Sequence, residues 1–492
     1  MLGGCRWSDS LASPKLLAMV TDSTVTLAES TYEKPAYLTK FVMLPFTIGT
    51  SKDTVQRIVD DAGTISFGIR WTADARHHYA KDEPWSCGVV PSQAHYFKLD
   101  TPTGLLLDGG TFQPIRQLPI GGTYQLYDYR WNGCNPIVGS PDWLVGVAKD
   151  SVSFIVTDAL GVLQETYSRK DMLTGGCKMQ AFGGGEGNLS MYNQSGTGVP
   201  GGRWFAWSQI GPAGCKGLGT LNRYIPYLGE PKSQHQSTLS LLTDTTTTID
   251  WASISPSGKY LVVHYATSAL QVYDVNQDST HVTTYGSVTP RHEPQSWPGQ
   301  IGDTSQGYLY SMGHADMLFN PFDNWEDYIC GQEHATPHNH GVNITSTTGE
   351  VVNQVGDLIC ARLRDNHLIT LSRPFPAGIT EAYIDHVSAR AEMRPGWVYV
   401  STFNDVAGRA YYDEIDAYAL DGVGHMERIA QMHSNYTSPP ICTGNQCYRG
   451  EPQPVADTWG KLVAFASNWM NFCGTGCGTR ANPQAYVVGP YR

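Results

Sequence analysis

Histidine, tyrosine and arginine recur in this 492-residue chain at places where they could hold a cation or move a proton. The groups are His77, His78 and Tyr79; Tyr129, Arg130 and Trp131; His314 with Asp316; His386 with Arg390; and Glu451 with Gln453. Imidazoles that converge with a carboxylate suit a divalent transition metal, because each ring offers one lone pair and Asp an anionic oxygen. His314, Asp316 and His386 are therefore the first candidate ligands, for a divalent cofactor such as Zn, Mn or Ca. The structural alternative is that these histidines tie neighbouring segments by donating to backbone carbonyls.

A second histidine-bearing stretch runs from Cys330 through His334 to His338 and His340. With the Cys330 thiolate it makes an alternative zinc set, carried by an inter-strand loop. Cys442 with Cys447 and Cys473 with Cys477 lie in Gly-rich loops and read as two disulfides. A four-thiolate zinc site is the competing reading, and their spacing suits it poorly. Eleven cysteines and four N-x-S/T triplets, at Asn188, Asn193, Asn343 and Asn435, predict a glycosylated chain in an oxidising, extracellular or periplasmic setting, with the cell surface as a variant. Leu2-Gly3-Gly4-Cys5 resembles a lipobox but lacks the apolar run that should precede the cysteine. No stretch approaches the length of a membrane span.

The elements that must position these residues are strands. Gly 52, Tyr 27 and Trp 13 with a charged fraction of only 16% suit many short strands and Gly-rich turns. A net charge of -12 without a basic run excludes nucleic acid as a natural partner. The best-marked unit is WASISPSGKYLVVHYATSALQVYDV, residues 251–275, where Pro256 to Lys259 makes a turn between a small-residue strand and an apolar one. VADTWGKLVAFASNW, from Val455, repeats that grammar, and fainter versions precede both. The pattern predicts an all-β chain: residues 1–492 as one seven-bladed β-propeller of four-stranded antiparallel blades, opening near residues 78, 131, 185, 253, 314, 386 and 453. An apolar segment within residues 1–50, AYLTKFVMLPF, is expected to close the ring. Such a ring brings the residues that open each blade, including Glu186 and Ser253, around one central funnel.

The unit at 251–275 resembles the S-x-D-G-K blades of TolB-type and oligogalacturonate-lyase-type propellers, with Ser257 where that pattern has Asp; Trp459 replaces it in the last unit. Across its length the chain is similar to oligogalacturonate and ulvan lyases, which cleave uronate polymers by β-elimination in the funnel. That resemblance implies a carbohydrate partner, with Arg130 or a metal on the uronate carboxylate, His77 or His78 as base, and Tyr79 or Tyr129 as acid. Trp131, Arg390, Glu451 and Gln453 would then face substrate. The competing expectation is a noncatalytic extracellular disc that self-assembles into a surface or fibre.

Overall fold

The computed structural model describes residues 36–48, 51–72, 75–86, 96–100, 104–118, 127–131, 142–148, 150, 152–168, 175–181, 204–210, 218–222, 237–238, 249–257, 259–265, 270–274, 289–290, 308–309, 312–333, 344–345, 351–353, 358–365, 367–372, 382–404, 414–422, 425–432, 434, 451–469 and 483–489. Among them there is no α-helix; a 3-10 turn lies at Pro321–Asp323. The fold is an all-β propeller.

Five antiparallel sheets carry the expected blade pattern of four strands in chain order, spanning 127–168, 178–238, 249–290, 312–372 and 382–431, the third with an added short strand, Tyr308–Leu309, paired to Leu270–Asp274. Five such blades replace the seven expected, for two local reasons. The sheet at 96–117 has three strands, because residues 75–86 run where an inner strand would lie and pair with it by backbone only at isolated bridges, Arg76 to Asp100 and Trp85 to Phe97, without forming a continuous ladder. The final sheet is a composite of both chain ends: Lys40–Ile48 pairs with Ser51–Arg57, which pairs with Gln484–Val488, then Val463–Ser467 and Val455–Ala456. The pairing of Val55 with Val488 and of Arg57 with Tyr486 removes an exposed edge there.

Apolar residues alternate along the strands and meet between sheets. Tyr399, Ile415 and Ala417 pack with Phe465, Tyr486 and Val488. On the other face of the same sheet Val398, Val400 and Tyr418 pack with Cys330, Leu358 and Cys360. That sheet is thus packed on both faces, which explains why its strand Glu414–Ala419 is buried at every position.

The turns rest on carboxylates. In the last sheet Asp457 accepts from the Lys461 and Leu462 amides at 2.6 and 3.0 Å, while Gly460 supplies a φ of +63°. Ser255 stands at the matching place in the 249–290 sheet, accepting from the Tyr260 amide at 3.1 Å. Its missing carboxylate comes from the adjacent sheet: Asp327 accepts from Ser255 Oγ at 2.9 Å, from the Ser257 amide at 3.2 Å and from Ser257 Oγ.

Candidate functional site

Inner strands carry β-bulges where the polar residues cluster. Register shifts fall between Tyr127 and Arg130, between Gly313 and Asp316, and between Ile384 and Val387. A bulge adds one residue to a strand and re-aims side chains that strict alternation would send between sheets. His314 sits within one bulge at φ +47°, and Asp385 and His386 lie within another.

These three residues meet. His314, Asp385 and His386 place ligating atoms within 4.8 Å of one another. His314 Nδ1 donates to the Asp385 carbonyl at 2.7 Å, which leaves Nε2 as its lone-pair donor. His386 is fully buried; its Nδ1 lies 3.0 Å from Asp385 Oδ2 and its Nε2 3.5 Å from Glu451 Oε2. Burial and then the Asp385 charge push the Glu451 carboxyl up to about 10, against a smaller opposing pull from Arg76, so two acidic groups crowd one place. Two imidazoles and a carboxylate with an acidic neighbour fit a first-row divalent cation.

Asp316 is not the acidic member of this group. It accepts from Arg390 Nη2 at 2.7 Å and Nε at 3.0 Å, and from the Ala389 amide at 2.7 Å. The bulge explains the exchange: it turns Asp316 to the adjacent sheet, and Asp385 takes the expected place. Arg390 is consumed by the same ion pair and is itself buried.

Residues 76–82 gather the rest, because this one segment touches the opening of six sheets. Arg76 Nη1 donates to Gln453 Oε1 at 2.5 Å, and His77 Nε2 lies 2.5 Å from the Gln453 carbonyl. The Tyr79 ring stands edge-on to His386 and His314, with centroids 5.3 and 6.4 Å away. Lys81 Nζ lies 4.3 Å from the Trp251 ring and 5.7 Å from Tyr79. Asp82 holds Lys98 at 2.5 Å and Arg130 at 2.9 Å. The segment is a strap across the middle of the ring.

The strap gives its two histidines different surroundings. His77 is wholly buried, and burial depresses its imidazole to about 3, so it clips the strap to Gln453 as a neutral ring. The His78 side chain is one-third exposed, with Nδ1 3.2 Å from Asp82 Oδ2 and 3.0 Å from Arg130 Nη1. A guanidinium only donates, so His78 Nδ1 either accepts from Arg130, with the ring proton on Nε2, or carries the proton and donates to Asp82 while Arg130 bonds Asp82 at 2.9 Å; the second tautomer leaves Nε2 with its lone pair. Burial would raise the Asp82 carboxyl, but Arg130, Lys98 and the His78 hydrogen bond hold it far below the usual carboxylate range.

The other expected residues have structural surroundings. Trp131 is buried, donates to the Pro84 carbonyl at 3.0 Å and stacks on Tyr96. Burial, then Asp100, raises the Tyr129 phenol well above its ordinary value. Cys330 forms a disulfide with Cys360, its cross-strand partner, and so offers no thiolate to zinc. His334, His338, His340, Glu186 and Cys442, Cys447, Cys473 and Cys477 lie outside the described residues. Asp385, Asp82 and Lys81 were missed by sequence reasoning. Asp385 directly precedes His386, and that adjacency was the available signal.

No family model and no curated protein matches this sequence. Among solved structures, an oligogalacturonate lyase in complex with manganese superimposes at a TM-score of 0.50 with 11% identity, covering 93% of this chain and 97% of that one. The likeness is one of fold. An oligogalacturonate lyase from Vibrio parahaemolyticus gives a TM-score of 0.46 with 10% identity, over 92% of this chain and 96% of that one.

Proposed function

We propose that this propeller binds an acidic polysaccharide at the strap and cleaves it by β-elimination. The observation that carries the reading is that one segment holds His78 against Asp82 and Arg130 and sets the ring of the next residue, Tyr79, against His386 and His314 of the His314, Asp385 and His386 group. His78 Nε2 takes the proton from the carbon α to the uronate carboxylate. Tyr79 Oη gives its proton to the glycosidic oxygen as the carbon–oxygen bond breaks and the ring double bond forms. Asp82 keeps the His78 proton on Nδ1 throughout, and Arg130 holds Asp82 in place. A divalent cation held by His314, Asp385 and His386, such as the manganese named for the lyase of like fold, would supply the charge that neutralises the uronate carboxylate. The buried Cys330–Cys360 disulfide, together with a disulfide at Cys177, supports the expectation of an extracellular or periplasmic location.

The test is incubation of the chain with a panel of uronate polymers and manganese, following the ultraviolet absorbance of the unsaturated product. Product is expected from at least one polymer, with His78→Ala lowering the rate by a factor of about 100 or more, the usual scale for a lost general base. No absorbance over the panel, or a His78→Ala variant as fast as the parent, sinks the reading.

A further inference from the structure

The hairpin between Met312–Asn320 and Glu326–Glu333 has an unusual tip. Asn324 and Trp325 both take left-handed backbone, at φ +51° and +60°. The loop between the paired Asn320 and Glu326 holds five residues, and a bulky residue such as Trp325 in left-handed backbone at its end is strained by about 1–2 kcal/mol. The strain does not serve to bury the indole, because Trp325 is 55% exposed, as is its neighbour Phe322 at 50%. Strain that keeps a large apolar ring in water points to a use for the ring.

Both rings are braced by the structure around them. The Phe319 ring meets Trp325 edge-on at 6.2 Å, and the Trp325 amide donates to the Asn320 carbonyl at 2.9 Å. Asn320 Oδ1 accepts from the Phe322 amide at 3.1 Å, while its Nδ2 donates to the Leu420 carbonyl of the adjacent sheet at 3.2 Å. Gly396 of that sheet, at φ +79°, leaves a recess for the tip, since a methyl group there would come within 2.8 Å of Pro321 and 3.0 Å of the Phe322 ring. The two aromatics are therefore set in place before any ligand arrives, which lowers the entropy lost on binding.

The fringe of the tip selects the ligand. Arg362 pairs with Asp323 and Asp365, each at 2.6 Å, and Arg364 pairs with Glu326 at 2.7 Å. Three acids against two bases leave the patch slightly negative, which disfavours a polyanion such as a nucleic acid, an anionic membrane or a fully ionised uronate run. Rigid aromatic rings bordered by fixed donors and acceptors suit the apolar face and hydroxyl rim of an uncharged pyranose. The tip and His314 lie at opposite ends of one strand, about 20 Å apart at the usual rise per residue.

We propose that residues 321–325 form a second, noncatalytic carbohydrate site, which holds an uncharged stretch of polysaccharide on Trp325 and Phe322 at the face away from the strap. The proposal rests on the reading of the substrate as a polysaccharide, and its test separates the two. Native gels containing neutral galactan, xylan or glucan measure retardation of the parent, Trp325→Ala, Phe322→Ala and His386→Ala. Retardation is expected in at least one neutral polymer, weaker by a factor of ten or more for the two aromatic variants and unchanged for His386→Ala. Trp325→Gly is expected to lose retardation while melting at or above the parent temperature, because it relieves the backbone; an indole with only a structural role would lower the melting temperature. Absence of retardation in every neutral polymer, or equal retardation of Trp325→Ala and parent, overturns the proposal. Uronate elimination without retardation sinks this site and leaves the strap chemistry standing, and retardation lost in Trp325→Ala without elimination does the reverse.

Discussion

His314 and His386 stack ring on ring, with centroids 4.0 Å apart and planes 13° from parallel, although they belong to different sheets. Asp385 lies beside both, 3.7 Å from His314 Nδ1 and 3.0 Å from His386 Nδ1 through its carboxylate oxygens. The contrast between Asp385 and Asp316 gives the sharpest test of the cation site. Titration calorimetry with manganese is expected to show affinity lowered tenfold or more in His314→Ala and Asp385→Asn. Asp316→Asn should bind the ion as the parent does yet unfold more readily, because Arg390 then keeps a buried charge with its main counter-ion removed. Equal loss of affinity in all three variants would return Asp316 to the ligand set.

Asp82 neutralises two buried cations, Lys98 and Arg130, at 1% and 4% exposure. Asp82→Asn keeps the shape and removes the charge, so denaturant unfolding is expected to show a loss of about 3–5 kcal/mol, the range for breaking a buried pair from one side. A second change, Lys98→Met, should restore part of that stability by removing a stranded charge. If Asp82→Asn unfolds like the parent, the strap is not held by this cluster.

Asp327 sets a pH dependence whose sign can be worked out. Burial, only partly offset by hydrogen bonds from Ser257 and Ser255, lifts its carboxyl from 3.8 to about 6. Between those values the folded chain holds a proton that the unfolded chain has lost. Its contribution is complete below pH 4 and disappears as pH rises through 6, on the order of 3 kcal/mol. Asp327→Asn should therefore gain on the parent as pH rises from 4 to 8, read from urea midpoints. His77 slopes the other way: its folded value near 3 withdraws stability as pH falls below 6.5 in parent and variant alike, so the difference between them isolates Asp327. A difference that does not change with pH would show that the Asp327 carboxyl is already ionised at pH 4.

The strand grammar was legible because period-two patterning and Gly-Lys turns are local, and the later units at 251–275 and 455–488 lie where sheets form. The residues around the strap were partly legible for the same reason: His78, Tyr79, Glu451 and Gln453 precede strands, and His314 and His386 lie within the first strand of their sheets. Asp316 and Asp385 were exchanged because a bulge changes the facing of every residue after it, and composition does not announce a bulge. His77 and His78 are adjacent and alike in sequence; only packing separates a clip from an exposed ring. The blade count failed at the strap, whose polar run reads like a blade opening although it crosses the ring instead of joining a sheet. Asp327 was invisible as the support of the Ser255 turn because the two lie in different sheets.

The strap also decides how anything can travel. With Arg76, His77, Tyr79, Lys81 and Asp82 all buried and tied to surrounding sheets, the hub of the ring is stoppered. A long chain cannot be threaded through it as through a bead. On the proposed reading, a polymer held here must arrive and depart by the same mouth, so cutting would yield fragments by repeated landing, not by continuous feeding.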